Sequence, residues 1–361
     1  MSSASSKIRV LVVDDSAVAR NVIIKGLTGH PRIEVIGYAI NAADARSKVR
    51  LLSPDVMTLD VEMPGTNGID FLKQFLPVHH LPVILVSSLN LRVFDALEAG
   101  AVDFVRKPDG VESRESFIQS LAAKIIVASH ARVRGGQSGP VRPRSASAVQ
   151  PQISRSPAVP PLLGLSKTEP NHTIIALGAS TGGTEATLAV LRQLPADIPG
   201  MVIVQHMPTG FTKMYAERLN RLCQMEVREA KNGDEIHQGL VLIAPADLQM
   251  RVLRMGSRYT VSCQPGEKVS GHRPSVDVLF SSMAAQVKCH MVGIIMTGMG
   301  RDGASGLLEM RKAGAYTIGQ DKESCVVYGM PMVAQEIGAV SVQASCENIA
   351  GVLMAHLKSR D

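Results

Sequence analysis

The sequence contains no tryptophan, and aromatic residues make up only 3% of it. Aliphatic residues and methionine must therefore fill the interior, and a hydrophobic content of 45% is enough for two cores. This composition favours layered α/β domains. At 361 residues the chain is longer than a usual single domain, so we expect two.

Long apolar runs and paired cysteines are also missing. No stretch approaches the roughly 20 apolar residues of a membrane-spanning helix, and the N-terminal MSSASSKIRV lacks a signal-peptide core. We therefore expect a cytoplasmic protein that does not insert into the membrane. The five cysteines are scattered singly, without C-x-x-C spacing, which predicts reduced core thiols.

The excess of basic residues is confined to one segment. The formal net charge is +6, and between Arg132 and Glu169 six basic residues oppose one acidic residue. This segment is also rich in Ser, Pro and Gly, which is typical of a linker. We predict a linker over residues 131–170 that joins domains at 6–130 and 171–361. No basic face is interleaved with aromatic residues, so we do not expect nucleic-acid binding.

In the first domain, short apolar runs alternate with amphipathic helical stretches. Strands are predicted over residues 8–13, 33–38, 56–59, 83–86 and 103–105. This alternation predicts a doubly wound, flavodoxin-like domain with a five-stranded parallel sheet and helices on both faces.

Polar side chains follow the ends of these strands. Asp14 and Asp15 follow the first strand, Asp60 the third, Ser87 the fourth and Lys107 the fifth. Because carboxylates brought together repel one another unless a cation joins them, a Mg²⁺ ion is the natural occupant. A hydroxyl and a lysine beside it would complete a site for phosphoryl chemistry.

The motifs VVDDS, LDVEMPGTNGID and VRKP make residues 6–130 resemble the receiver domain of bacterial response regulators. The resemblance implies that Asp60 accepts a phosphoryl group from a sensor histidine kinase and that Phe104 occupies the aromatic switch position. The Mg²⁺ ligands that it implies are Asp14, Asp15, Asp60 and the backbone carbonyl of Glu62. The phosphoryl contacts that it implies are Ser87 and Lys107.

The second domain begins with TIIALGASTGG, residues 173–183, which predicts a strand, a tight turn and a helix. Three interpretations are open. Gly178, Ser180 and Gly182 match the G-x-S-x-G turn that exposes a nucleophilic serine. Gly178 and Gly183 also give a dinucleotide-binding pattern without its middle glycine. The third interpretation is a turn that serves packing alone.

Two later strands decide among these interpretations. The strand at 201–204 leads into Gln205 and His206, where a dinucleotide site requires an acidic residue, so that interpretation is rejected. The strand at 291–296 leads to Asp302. A lone His after a strand is often structural, and Asp302 could simply cap the helix beginning at Gly303. Parallel strands bring their ends together, however, so Ser180, His206 and Asp302 can meet as nucleophile, base and orienting acid.

Five longer motifs make the second domain resemble the catalytic domain of the chemotaxis protein-glutamate methylesterase (CheB) family: GASTGGTEA, QHMPTGFT, HRPSVDVLF, MTGMGRDGA and SCVVYGMP. The resemblance implies a mostly parallel α/β domain with a β-hairpin that hydrolyses γ-glutamyl methyl esters on methyl-accepting chemoreceptors and deamidates glutamine. It makes Ser180, His206 and Asp302 catalytic and places oxyanion donors at Thr181 and the Met299 backbone. It implies no cofactor for hydrolysis.

One receiver and one hydrolase in a single chain suggest regulation. We expect the unphosphorylated receiver to cover the crevice at Ser180, and phosphorylation of Asp60 to expose it. The alternative is a non-catalytic response regulator that only docks on chemoreceptors.

Overall fold

The computed structural model describes residues 6–63, 68–88, 92–108, 113–132 and 173–360. The predicted linker at 131–170 lies outside these ranges except for its first two residues. The domain boundaries therefore stay predictions, whereas the architecture on either side of the linker is defined.

The N-terminal half forms the predicted five-stranded parallel sheet, in which the strands, numbered along the chain, lie in the order 2-1-3-4-5. The third and fourth strands are each one residue longer than predicted, and they end at Asp60 and Ser87. The strands are β1 (Ile8–Val13), β2 (Ile33–Ala39), β3 (Val56–Asp60), β4 (Val83–Ser87) and β5 (Asp103–Arg106). The helices are α1 (Ala17–Leu27), α2 (Ala42–Leu52), α3 (Gly68–Phe75), α4 (Arg92–Glu98) and α5 (Arg114–Ala128).

The C-terminal half contains a seven-stranded parallel sheet and a separate antiparallel hairpin. The strands are β6 (Thr173–Ala179), β7 (Met201–Gln205), β8 (Glu226–Glu229), β9 (Leu240–Ile243), β10 (Gln249–Met255), β11 (Arg258–Gln264), β12 (His290–Ile295), β13 (Tyr316–Gln320) and β14 (Val342–Ala344). The helices are α6 (Gly183–Leu191), α7 (Phe211–Leu222), α8 (Val276–Gln286), α9 (Ala304–Lys312), α10 (Met330–Glu336) and α11 (Ile349–Lys358). The predicted hairpin is confirmed as β10–β11, whereas β8, β13 and β14 were not anticipated.

Strand β6 lies at the centre of the larger sheet, whose order is β14-β13-β12-β6-β7-β9-β8. It pairs with β12 on one side and β7 on the other. Its residues from Ile174 to Ala179 are buried, which fits a strand covered by helices on both faces. The carboxyl ends of β7, β6 and β12 therefore meet at one edge, where ligands bind in open α/β sheets.

The sequence predicts reduced thiols for the cysteines. All five cysteines are free thiols, and burial raises the pKa of Cys223 to about 11 and that of Cys263 to about 12, which disfavours a reactive thiolate. Among the described residues, we find no helix with the length and apolar character needed to span a bilayer.

Candidate active site and phosphoryl site

Ser180 and His206 leave neighbouring strands at equivalent positions. Ala179, the last residue of β6, is paired with Gln205, the last residue of β7. The backbone N–H of His206 donates to the Ala179 carbonyl at 3.1 Å, and the N–H of Ser180 donates to the Thr297 carbonyl beyond β12 at 3.0 Å. The register of the sheet thus places Ser180 and His206 at the ends of adjacent strands.

Glycines are required where the backbone crowds Ser180. Gly182 has φ +77°, a conformation that other residues rarely adopt, and it precedes helix α6. A Cβ at Gly298 would lie 2.7 Å from the Cβ of Ser180, which is too close for any side chain. Ser180 therefore sits on a turn pressed closely against the loop that follows β12.

His206 and Asp302 form a direct pair. The Nε2 atom of His206 lies 2.8 Å from Oδ2 of Asp302, and the carboxylate is 1% exposed. Asp302 also accepts hydrogen bonds at the start of helix α8, from Ser275 Oγ at 2.7 Å and from the backbone N–H groups of Val276 at 2.8 Å and Asp277 at 3.0 Å. The alternative in which Asp302 caps the following helix is wrong, because the N-cap of α9 is Gly303.

These bonds determine the charge of the acid and the tautomer of the base. Burial alone would raise the pKa of Asp302, but hydrogen bonds from His206, Ser275 and Asp277 and the attraction to His206 outweigh it, so the pKa is lowered. An ionised carboxylate only accepts hydrogen bonds, so Nε2 of His206 carries the proton and Nδ1 is left as the base. Nδ1 is buried without a hydrogen-bond partner among the described residues, so Ser180 Oγ is not bonded to it in this state.

The predicted oxyanion donors flank the serine. Thr181 is buried, and its carbonyl accepts a hydrogen bond from Thr297 Oγ1 at 3.0 Å. Met299 follows the glycine that presses against Ser180, and its side chain is exposed. In this state the Thr181 hydroxyl donates at 2.5 Å to Asp103, a residue of the N-terminal half.

The sequence reasoning missed two features of this site. The ring of His272 stacks on His206, and Ser275 holds Asp302. Both lie in the HRPSVD stretch, which stands out as a run of polar residues before α8. Nothing in its local pattern indicates that it folds over the ends of two distant strands.

The five polar residues at the strand ends of the N-terminal sheet also converge. Carboxylate oxygens of Asp14, Asp15 and Asp60 lie within 4.8 Å of one another. The Nζ atom of Lys107 is 2.6 Å from Asp60 Oδ2 and 3.1 Å from Asp14 Oδ2. Ser87 is fully buried, and its hydroxyl has no partner within the described ranges, so it remains available to an incoming oxygen ligand.

The electrostatics of this cluster fit a divalent cation. Burial raises the pKa of Asp60, although hydrogen bonding and attraction to Lys107 oppose the increase. Burial lowers the pKa of Lys107, but its hydrogen bond to Asp60 and its attraction to both carboxylates give a net increase. The donors are all oxygen atoms, which suits Mg²⁺, and a cation would offset the cost of ionising clustered, buried carboxylates. Glu62, the fourth predicted ligand, lies two residues beyond Asp60, and its N–H donates to Oδ1 of that residue at 3.1 Å.

Strand β5 of the N-terminal half packs directly on the hydrolase-like site. Besides the bond from Thr181 to Asp103, the buried ring of Phe104 lies 4.6 Å from that of Phe211 on α7. Arg106 donates to the carbonyl of Thr209 at 3.3 Å. The two halves are therefore joined next to Ser180, through the strand that leads into Lys107.

A second set of contacts supports this interface. Phe94 on α4 stacks on Tyr215 with a centroid distance of 5.7 Å. Arg218 on α7 reaches Glu98 at 3.1 Å and Glu185 at 2.7 Å, so one guanidinium bridges α4 and α6. Glu98 is more than half exposed, so its ion pair with Arg218 contributes little to the interface.

Comparison with known proteins identifies the families that the two halves of the chain resemble. Residues 175–353 match the CheB methylesterase family, and residues 10–117 match the response regulator receiver domain. Over 340 residues the chain is 50% identical to a protein-glutamate methylesterase/protein-glutamine glutaminase 2 from Syntrophomonas wolfei, covering 93% of this chain and 94% of that relative. The chain belongs to the CheB methylesterase family.

A second relative and one solved structure are also similar to this chain. A protein-glutamate methylesterase/protein-glutamine glutaminase from Syntrophotalea carbinolica is 46% identical over 360 residues, with 98% of this chain and 99% of the relative covered. The crystal structure of the CheB methylesterase catalytic domain from Thermotoga maritima is 34% identical and covers 50% of this chain and 97% of its own, with a TM-score of 0.49. The matches to the relatives from Syntrophomonas wolfei and Syntrophotalea carbinolica extend across both halves of the chain.

Proposed function

We propose that this chain hydrolyses γ-glutamyl methyl esters on methyl-accepting chemoreceptors to glutamate and methanol, deamidates glutamine there, and is activated by phosphorylation of Asp60. The observation that carries the hydrolytic part is the buried pair of His206 and Asp302 beside Ser180. Two relatives that align over nearly the whole chain carry names with the same pair of activities.

The reaction uses the three side chains in turn. Ser180 Oγ attacks the ester carbonyl while Nδ1 of His206 takes its proton, and the imidazolium returns that proton to the methoxide as methanol leaves. Water then attacks the acyl-serine, again giving a proton to His206, and glutamate is released as Ser180 is restored. Asp302 holds the ring and stabilises its charged form. A side-chain rotation of Ser180 toward Nδ1 on substrate binding completes the hydrogen bond.

We assign the developing oxyanion to donors at Thr181 and the Met299 backbone. Both flank Ser180, one at the start of α6 and one on the loop after β12. Removing one such donor usually lowers the rate about 10²- to 10³-fold. The hydrolysis proposed here is carried out by side chains and backbone groups.

The receiver site is assigned to phosphoryl transfer from a sensor histidine kinase. Asp60 accepts the phosphoryl group, and Ser87 and Lys107 contact its oxygens. A Mg²⁺ ion bound at this site would supply positive charge that offsets the charge of the phosphoryl group. Its proposed ligands are Asp14, Asp15, Asp60 and the Glu62 carbonyl.

Control of the hydrolase follows from strand β5. Lys107 contacts Asp60, and three residues in the four positions before it contact the C-terminal half. A shift of Lys107 on phosphorylation is thereby transmitted to the contacts beside Ser180. We infer that the docked receiver limits receptor access and that phosphorylation weakens the docking.

The test is methanol release from methylated receptor, with and without a small phosphodonor and Mg²⁺. Wild type should release methanol and accelerate with the phosphodonor, whereas Ser180→Ala should do neither. Ser257→Ala, in the exposed hairpin turn, is the matched control and should behave as wild type. Receptor binding by Ser180→Ala together with unchanged turnover would instead support the non-catalytic regulator.

A further inference from the structure

His272 lies face to face with the proposed base. Its ring is within 10° of parallel to that of His206, and the ring centroids are 3.7 Å apart. Among the described residues, the His272 side chain has no hydrogen-bond partner that would explain a histidine here, and its ring contacts the flat face of the His206 imidazole. The arrangement leaves both edge nitrogens of His206 clear for Asp302 and Ser180.

The segment carrying His272 is firmly held. His272 and Val269 exchange two backbone hydrogen bonds at 2.9 and 3.0 Å. The fully buried Gln249 accepts from the Ser275 N–H at 2.9 Å and donates to the His272 carbonyl at 3.4 Å. Because Ser275 in turn bonds Asp302, one segment positions both the face of the base and the acid that orients it.

The charge on His272 decides what this stacking does. Burial lowers its pKa to about 4, and the positive charge that His206 carries when protonated acts in the same direction. The other charged groups that act on it are Asp302, which opposes the decrease, and Lys124 and Lys268, which add to it. His272 is therefore a neutral aromatic ring at neutral pH. A neutral π face attracts a cation, whereas a second imidazolium would repel one.

In the proposed reaction His206 takes the serine proton and becomes a cation. An interaction that strengthens in this step lowers the barrier, whereas one that is equal before and after does not. We propose that His272 is a positioning residue that fixes the ring plane of His206 and stabilises its protonated form through a stacked, neutral π face. This proposal rests on the assignment of His206 as the general base.

The experiment compares three substitutions at His272 in the full chain, phosphorylated to the same extent. His272→Phe keeps an aromatic face, whereas His272→Leu and His272→Gln fill the space without one. The measured quantities are kcat, KM and the acid limb of kcat/KM between about pH 5 and about pH 9. Because any titration of the receiver is the same in all variants, differences in their kcat or acid limb are due to residue 272.

We expect the Phe variant to keep kcat within about threefold of wild type with its acid limb in place. The Leu and Gln variants should lose about tenfold in kcat at unchanged KM, and their acid limbs should move about one pH unit lower, because the imidazolium has lost its π partner. If the Leu variant does not fold, the Gln variant decides. Equal kcat and equal acid limbs for the aromatic and non-aromatic variants would overturn the proposal.

His206→Ala separates this inference from the proposed function. If that variant retains the wild-type rate, the assignment of the base fails and this proposal fails with it. If it is inactive while the three His272 variants are indistinguishable, only the role of His272 is refuted.

Discussion

Replacing Asp103 with alanine should activate the unphosphorylated protein. In the docked state Oδ2 of Asp103 accepts a buried hydrogen bond from Thr181 across the interface. Its other carboxylate oxygen accepts from Lys124 at 2.5 Å and from the backbone of Phe104 at 2.8 Å, both within the N-terminal half. Those two bonds exist whether or not the halves are docked, so their loss cancels from the docking equilibrium. The bond to Thr181 does not cancel.

The size of the effect follows from that single bond. A hydrogen bond to a charged group contributes about 1.5–3 kcal/mol net. Because about 1.4 kcal/mol is a tenfold change in an equilibrium constant, the undocked fraction should rise about 10- to 150-fold. While that fraction is small, the basal esterase rate rises in proportion. The rise stops at the rate of the phosphorylated wild type, since the substitution changes docking and leaves the catalytic groups in place.

The assay is methanol release from methylated receptor without a phosphodonor. Asp44→Ala is the matched control, since this receiver carboxylate pairs with Lys48 at 3.0 Å on the same helix. The control should keep the low basal rate. A basal rate for Asp103→Ala equal to that of wild type, with normal activation by phosphorylation, would refute the proposed role of the interface bond.

Three further predictions concern the two sites. Asp302→Asn should lower kcat about 10⁴-fold, because an amide no longer holds the reactive tautomer of His206; a loss below tenfold would contradict the triad. Asp60→Asn should leave the basal rate intact and abolish the response to phosphodonor and Mg²⁺, so continued activation would place the phosphoryl group elsewhere. His272 has a folded-state pKa of about 4, below the ordinary 6.5, so protonation favours the unfolded chain. The free-energy cost of keeping His272 neutral in the folded state is absent above about pH 6.5. It grows as the pH falls toward 4, up to about 3 kcal/mol. His272→Phe should therefore reduce the loss of unfolding free energy over that interval, measured by denaturant unfolding at each pH, and an unchanged pH dependence would count against the lowered pKa.

Local sequence pattern was sufficient for the strands that position chemistry. Apolar, β-branched runs predicted β1, β3, β6, β7 and β12 to within two residues. The ends of parallel strands must meet, so the sequence alone predicts that the polar residues just beyond them lie close together. The carboxylates of the N-terminal sheet and the pair of His206 and Asp302 follow from this rule. Strands such as β8 and β14 escaped because they are short and partly exposed, so their pattern is weak.

Tertiary structure alone decided which groups touch. That Asp302 binds the start of α8 rather than capping α9, that His272 stacks on the base, and that Asp103 reaches Thr181 all join residues at least 25 positions apart. Sequence periodicity predicts which residues of one helix or strand share a face, whereas these contacts depend on how the helices and sheets pack against one another. The amino-acid sequence thus determined the reactive groups and the sheet edge that carries them. Packing decided their partners, their protonation and which half of the chain covers them.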